Sequence, residues 1–165
     1  MRQYRFDEMK EEYLDEVLAI YSYYVLHTTA TFHDRVLTAG EMREIVFFDS
    51  PRYKTFVIFD DGSLCGYVFI ARHKNREAYD STAEVSVYLR PGLGGRGIGS
   101  LAIKHIEEYA RSQRLHALIA TICGQNGESI RLFAKNGYRQ CAHYLEVGRK
   151  FGQLLDVVAY QKILD

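Results

Sequence analysis

The stretch Val85-Ser86-Val87-Tyr88-Leu89-Arg90-Pro91-Gly92-Leu93-Gly94-Gly95-Arg96-Gly97-Ile98-Gly99-Ser100 constrains this chain more than any other. A β-type apolar run enters a glycine-rich turn, and the turn opens at once into a helix. Ile98, Leu101, Ala102, His105, Ile106, Tyr109 and Ala110 mark one face of that helix. Glycines let the main chain turn sharply and approach a ligand with no Cβ in the way. The first amides of the helix have no internal partner, and the macrodipole adds about half a positive charge there. Together these make an anion site suited to a pyrophosphate. Arg90 and Arg96 either add charge to it or are ordinary surface arginines.

Two phosphate-binding readings fail on residue type. An ATP-binding loop needs Lys-Ser/Thr after its last glycine, and none follows Gly99. A dinucleotide-binding turn needs an acidic residue about 20 residues on, and Ser112 to Ala120 offers none.

The rest of the chain reads as alternating helices and strands. Leu14, Val17, Leu18, Tyr21 and Val25 predict a helix over 12–24, and Thr38 with Glu41 predicts a capped helix over 39–48. Asp60-Asp61-Gly62-Ser63 between two β-rich runs, 54–59 and 64–71, predicts a hairpin. His73 to Asp80 is polar and reads as a loop; 83–89 is a third strand. Strand 115–123 is mostly apolar and so buried on both faces. A helix over 127–135 stops at Asn136-Gly137, and strands 138–147 and 154–163 close the chain. Hairpins and crossovers both occur, so the sheet is expected to be mixed and flanked by helices, in a single domain, 1–165.

Composition removes several function classes. Lys+Arg and Asp+Glu are both 21, so the chain lacks the concentrated positive charge that nucleic acid requires. No apolar run approaches the ~20 residues that span a bilayer, and Met1 to Asp7 lacks a signal-peptide apolar stretch, so no membrane association and a cytoplasmic location are expected. Cys65, Cys123 and Cys141 are scattered and read as reduced core residues. The six histidines show no metal spacing, no metal is expected, and His105 reads as packing.

The turn Gly94-Gly95-Arg96-Gly97-Ile98-Gly99 resembles the acetyl-CoA motif of the GNAT superfamily, Gln/Arg-x-x-Gly-x-Gly/Ala after a Val-x-Val strand, with Gly94 replacing the usual Gln or Arg. Asn126-Gly127-Glu128-Ser129, continuing to Gly137-Tyr138, is similar to the superfamily's Asn-x-x-Ser helix. Three further blocks resemble the phosphinothricin and methionine sulfone N-acetyltransferase branch: 28–32, 78–88 and 146–158. The resemblance implies an α+β fold of acyl-CoA N-acyltransferase type, with a mixed, mostly antiparallel sheet and helices on both faces. It implies acetyl-CoA as co-substrate and a small-molecule amine as acceptor, such as an amino acid or an analogue. It also implies a homodimer.

The site residues follow. The resemblance puts Val87, Tyr88, Leu89, Gly94, Gly95, Arg96, Gly97, Ile98, Gly99, Ser100, Asn126 and Ser129 on the cofactor. Glu84 begins an apolar strand and shares a face with Ser86 and Tyr88 by alternation. A carboxylate partly withdrawn from water there suits proton uptake, and the resemblance makes Glu84 the general base. A backbone N–H between Val87 and Leu89 is the expected oxyanion donor, while the acid for the departing thiolate stays open among Tyr88, Tyr138, Tyr144 and water. Phe32, Arg72, Arg76, Tyr79 and Lys150 are expected around the acceptor, and Asp156 reads as a hydrogen-bonded structural carboxylate. Two alternatives stand beside this: an N-acetyltransferase for another amine (polyamine, aminoglycoside or protein N-terminus), and a non-catalytic acetyl-CoA sensor favoured by Gly94 and Phe133.

Overall fold

A computed structural model describes residues 2–165. Strand β1 (Tyr4–Glu8) precedes helix α1 (Leu14–His27), which a 3-10 turn, Glu11–Tyr13, leads in. Helix α2 (Ala39–Val46), strands β2 (Lys54–Asp60), β3 (Ser63–Arg72) and β4 (Thr82–Leu89) and helix α3 (Ile98–Ser112) follow. The chain closes with β5 (Ala117–Cys123), α4 (Gly127–Lys135), β6 (Arg139–Lys150) and β7 (Gln153–Ile163). The strands form one sheet in the order β1-β2-β3-β4-β5-β7-β6. Only β4 and β5 run parallel; every other pair is antiparallel. This is the mixed, mostly antiparallel sheet that the resemblance implies.

Period-2 alternation sends the side chains of β2 and β3 to two separate cores. Ile98, Ala102, Ile103 and Ile106 of α3 pack with Ile58, Val68, Ile70, Val85 and Leu118 on one face. Val17, Ile20, Met42 and Val46 of α1 and α2 pack with Val57, Tyr67 and Phe69 on the other. Among the described residues, no helix is long and apolar enough to cross a membrane.

Local chemistry explains the elements that sequence anticipates. Asp61 (φ 48°) and Gly62 (φ 82°) both take left-handed backbone, the requirement of a tight two-residue hairpin turn. Thr38 and Glu41 form the reciprocal capping box at the start of α2. Asp156 accepts from His143 Nε2 at 2.8 Å and from the Glu146 amide at 2.8 Å, which pins the irregular stretch of β6 where Glu146 has φ 52°.

Several expectations need correction. Helix α2 stops at Val46, and β5 begins at Ala117 and is not buried on both faces, since Thr121 is exposed where the strand leaves β4. Strand β1 was not anticipated, because Tyr-Arg-Phe-Asp-Glu is a short, charged edge strand with one neighbour. Helix α1 continues three residues past Tyr24, to His27. Strand β6 runs on to Lys150, because left-handed Phe151 and Gly152 make a second tight turn into β7. Of the cysteines, Cys65 and Cys123 are core residues, but Cys141 is exposed, since it lies on the sheet's outermost strand.

His105 packs as expected, stacked on Phe6 of β1 with centroids 4.3 Å apart and edge-on to Phe56. Burial holds its imidazole below the usual histidine range. The unfolded chain therefore binds a proton near pH 6.5 that the folded chain resists. The resulting stability is full above that pH and is lost as pH falls toward the lower folded value. His105→Phe, which keeps the stack, is expected to flatten the loss of stability between about pH 7 and pH 5, as measured by urea unfolding. An unchanged pH slope would contradict this.

Candidate active site

β4 and β5 pair only at Thr82–Ala117, Ala83–Leu118 and Glu84–Ile119. Beyond Glu84 they part: β4 stays with β3, and β5 turns to β7. The gap is a cavity of about 470 Å³, bounded by Val85 to Arg90 on one side and by Ala120 to Ile122 on the other. Tyr24 and residues 28–30 roof it, and Asn126, Ser129, Leu132 and Phe133 complete it.

The main chain of β4 faces this gap with alternate peptides. Arg90 N–H donates to Cys65 O at 2.8 Å, so even-numbered peptides of β4 face β3. Those of Val87 and Leu89, beyond the last β5 pairing at Glu84–Ile119, therefore face the opening. Leu89 O lies there, accepting from Tyr24 Oη at 2.5 Å. Of the backbone donors anticipated between Val87 and Leu89, the Tyr88 N–H belongs to the β3 ladder, leaving Val87 and Leu89.

The glycine turn borders the same cavity. Gly92, Gly95 and Gly97 have φ of 85°, 77° and 81°, which residues with a Cβ rarely adopt. Gly97 is the N-cap of α3 and supplies no side-chain cap, so the first amides of α3 are left for an anion. Gly94 lines the cavity, and Gly95, Arg96 and Gly97 continue exposed beside it. Ile98 and Gly99 are buried, Gly99 closely against Leu132, and Ser100 Oγ accepts from Asn136 Nδ2 at 3.0 Å. The side chains of these last residues are thus engaged in the core, and only their main chain is free to meet a ligand. Asn126 Oδ1 caps α4 by accepting from Ser129 N at 3.2 Å.

Glu84 stands where the two strands part. Its Oε1 accepts from Thr121 Oγ1 at 3.0 Å, and Thr121 lines the cavity. Its Oε2 is 3.7 Å from His73 Nδ1.

The five residues expected around the acceptor lie outside the main cavity lining. Tyr79 is exposed and packs edge-on to His73. Arg72 donates to Asp80 at 3.0 Å and to Asn75 at 3.1 Å, so its guanidinium is engaged. Arg76 is exposed and has no ion pair among the described residues. Phe32 is exposed and covers Gly148, where any Cβ would collide with its ring. Lys150 needs correction. It is 4% exposed and its Nζ donates to Thr31 O at 2.7 Å, so it ties β6 to the segment before α2 instead of presenting a free cation. Burial also pushes its ammonium below the usual lysine range.

Sequence reasoning missed Tyr24, Thr121, His73 and Glu128. Glu128 stands in the first turn of α4, and its carboxylate fills the space that a side chain at Gly94 would need. Burial and then the Glu128 charge push the Tyr24 hydroxyl above the usual tyrosine range.

Residues 11–138 match the acetyltransferase (GNAT) family. The chain belongs to the GNAT acetyltransferase family. It is an acetyl-CoA-dependent N-acetyltransferase. It is 36% identical over 159 residues to a phosphinothricin N-acetyltransferase of Streptomyces coelicolor, covering 93% of this chain and 92% of that one. It is 31% identical to an L-methionine sulfoximine/L-methionine sulfone acetyltransferase of Salmonella typhimurium, covering 90% and 88%. The crystal structure of a GNAT superfamily phosphinothricin acetyltransferase from Sinorhizobium meliloti, in complex with acetyl-CoA, matches with TM-score 0.92 at 26% identity, covering 98% and 88%.

For a GNAT enzyme, an acidic side chain over the glycine turn opposes an anionic cofactor. Two unit charges about 4 Å apart in water interact by about 1 kcal/mol, roughly fivefold in affinity. Glu128→Gln is expected to tighten acetyl-CoA binding by about that factor, read by calorimetry. Equal affinity in both proteins would show that the carboxylate swings clear of the turn.

Proposed function

We propose that this enzyme transfers the acetyl group of acetyl-CoA to the α-amine of a small amino acid or amino acid analogue, with Glu84 as general base. The observation that carries the proposal is the placement of the Glu84 carboxylate at the mouth of the gap between β4 and β5, bonded to the cavity-lining Thr121. The amine nitrogen attacks the thioester carbonyl carbon only after losing a proton, and Glu84 accepts that proton. The negative charge of the tetrahedral intermediate rests on the inward-facing Val87 or Leu89 N–H. The C–S bond then breaks, the nitrogen gives up its second proton to become the amide, and the thiolate takes a proton.

Of the three tyrosines considered as donors, Tyr88 alone lines the cavity, so Tyr88 or solvent water supplies that last proton. Burial raises the hydroxyls of Tyr88 and Tyr138 above the usual tyrosine range. Tyr138 is also enclosed against Phe133, and Tyr144 is exposed on β6. The diphosphate of coenzyme A is assigned to the glycine turn, where three glycines in left-handed backbone and the uncapped start of α3 supply amides without side chains. The peptides of Val87 and Leu89 that face the gap suit the amides of the pantetheine arm, which would extend the sheet like a short strand.

For the acceptor we assign a carboxylate-bearing amine. Arg76 is the cation left free to meet it, since Arg72 and Lys150 are engaged. The Streptomyces coelicolor and Salmonella typhimurium relatives are named for substrates of this kind.

A thiol-release assay against amino acids, phosphinothricin, methionine sulfone, a polyamine and an aminoglycoside tests the proposal. Transfer to amino-acid amines is expected. Transfer only to the other amines would overturn the acceptor class, and acetyl-CoA binding with no transfer would point to a sensor. Glu84→Gln is expected to lower kcat by about 10²–10⁴ with acetyl-CoA affinity held. Arg76→Ala is expected to raise KM for the amine and leave KM for acetyl-CoA unchanged.

We also propose that the chain works as a homodimer joined through β6. This strand has β7 alone as neighbour, and Tyr144, Leu145, Val147 and Phe151 are 54%, 74%, 60% and 56% exposed on or beside it. Leu145→Glu is expected to convert a dimer to a monomer in sedimentation equilibrium. A wild-type monomer at micromolar concentration would remove the proposal.

A further inference from the structure

His73 follows the last residue of β3 and carries a nitrogen that the fold leaves without a partner. Its Nδ1 is buried and makes no hydrogen bond. A buried polar atom in that condition is costly, so something normally meets it. The group in front of it is Glu84: Nδ1 lies 3.7 Å from Oε2, with the two side chains 19% and 35% exposed. The sheet explains the approach. Ala71 is the cross-strand partner of Glu84 on β3, and Ile119 is its partner on β5. Two residues beyond each, on the same face by alternation, come His73 and Thr121.

Thr121 Oγ1 already donates to Oε1. The Tyr79 ring stands edge-on to His73, 5.6 Å between centroids and 75° between planes, and holds the imidazole in place. Among the described residues, Glu84 has no other ion-pair partner; Arg72 is turned to Asp80. The groups facing the carboxylate are therefore His73 from the end of β3, Thr121 from β5 and, behind His73, Tyr79 from the following turn.

We propose that His73 is a positioning residue for Glu84. Its Nδ1–H donates to Oε2 once the pair closes by less than about 1 Å, the separation of a charge-assisted hydrogen bond being about 2.7–2.9 Å. With Thr121 on Oε1 and His73 on Oε2, the carboxylate is fixed in one plane. The lone pair that takes the amine's proton then points in one direction as the acceptor arrives. This rests on Glu84 being the base. It goes further, because His73 is not among the residues lining the cavity and acts through the carboxylate.

The test compares wild type, His73→Leu, His73→Asn and Glu84→Gln by kcat, KM for both substrates and the pH dependence of kcat/KM, with acetyl-CoA calorimetry to establish that each variant is folded. His73→Leu removes the donor, whereas Asn places an amide N–H close to where Nδ1 stood. We expect His73→Leu to lose about tenfold in kcat with KM for acetyl-CoA unchanged. Its acid limb should move to higher pH, since an ionised carboxylate that loses a donor takes up a proton more readily. His73→Asn should recover kcat to within about threefold of wild type and return the acid limb. If His73→Leu matches wild type while Glu84→Gln stays slow, His73 has no part in positioning and Glu84 keeps its role. If His73→Asn is as slow as His73→Leu and neither moves the acid limb, the ring only packs and the proposal is overturned. If Glu84→Gln turns over like wild type, the base assignment itself fails, and His73 has nothing to position.

Discussion

The parting of β4 and β5 is the constraint on which the rest of the structure depends. Parallel neighbours normally share a ladder along their length, because every buried peptide group needs a partner. Here the ladder ends at Glu84–Ile119. β5 is held along its whole length by β7, and β4 by β3, so neither can close the gap without losing an existing ladder. The sheet therefore leaves the Val87 and Leu89 peptides of β4 without a neighbouring strand. A ligand that supplies amides and a carbonyl completes it, at no cost in rearranging the fold.

The helix starts show where charge is meant to go. α2 begins with a full capping box, and α4 begins with Asn126 accepting from Ser129. α1 and α3 both begin with no side-chain cap, but α1 carries Asp15 and Glu16 in its first turn, whereas α3 follows a glycine and has no acidic residue there. Capping removes the demand for an anion by satisfying the first amides internally; at α3 that demand is left in place, beside the gap. Glu128 is the dissenting group, since its carboxylate occupies the volume that a side chain at Gly94 would otherwise take. The loss of a side chain at Gly94 and the presence of a carboxylate at Glu128 are thus one packing arrangement seen from two elements.

What was legible in the sequence follows from how local the cause is. The Asp61-Gly62 hairpin, the Thr38/Glu41 box, helix α4 and the glycine turn each depend on residues within a few positions of one another. β1 depends on pairing with β2 some fifty residues away and carries charged side chains, so its alternation is too weak to read. Lys150 looked like a free cation because nothing near it in sequence signals Thr31 O, 119 residues distant. His73 looked like a loop residue because its relation to Glu84 exists only through the β3–β4 register.

The two ends of the cleft also rest on different physics. In the proposed site the cofactor end is made of main chain, namely the Val87 and Leu89 peptides, the glycine turn and the first amides of α3. Substitution can remove that only by changing the backbone itself. The acceptor end we propose is made of side chains from separate segments: Phe32 over Gly148, Arg76 and Tyr79 on the turn before β4, and Glu84 between His73 and Thr121. Each of these can change without disturbing a ladder. On that proposal the acyl donor is held by backbone while the acceptor end is free to diverge, so family membership fixes acetyl transfer and leaves the choice of amine to side chains.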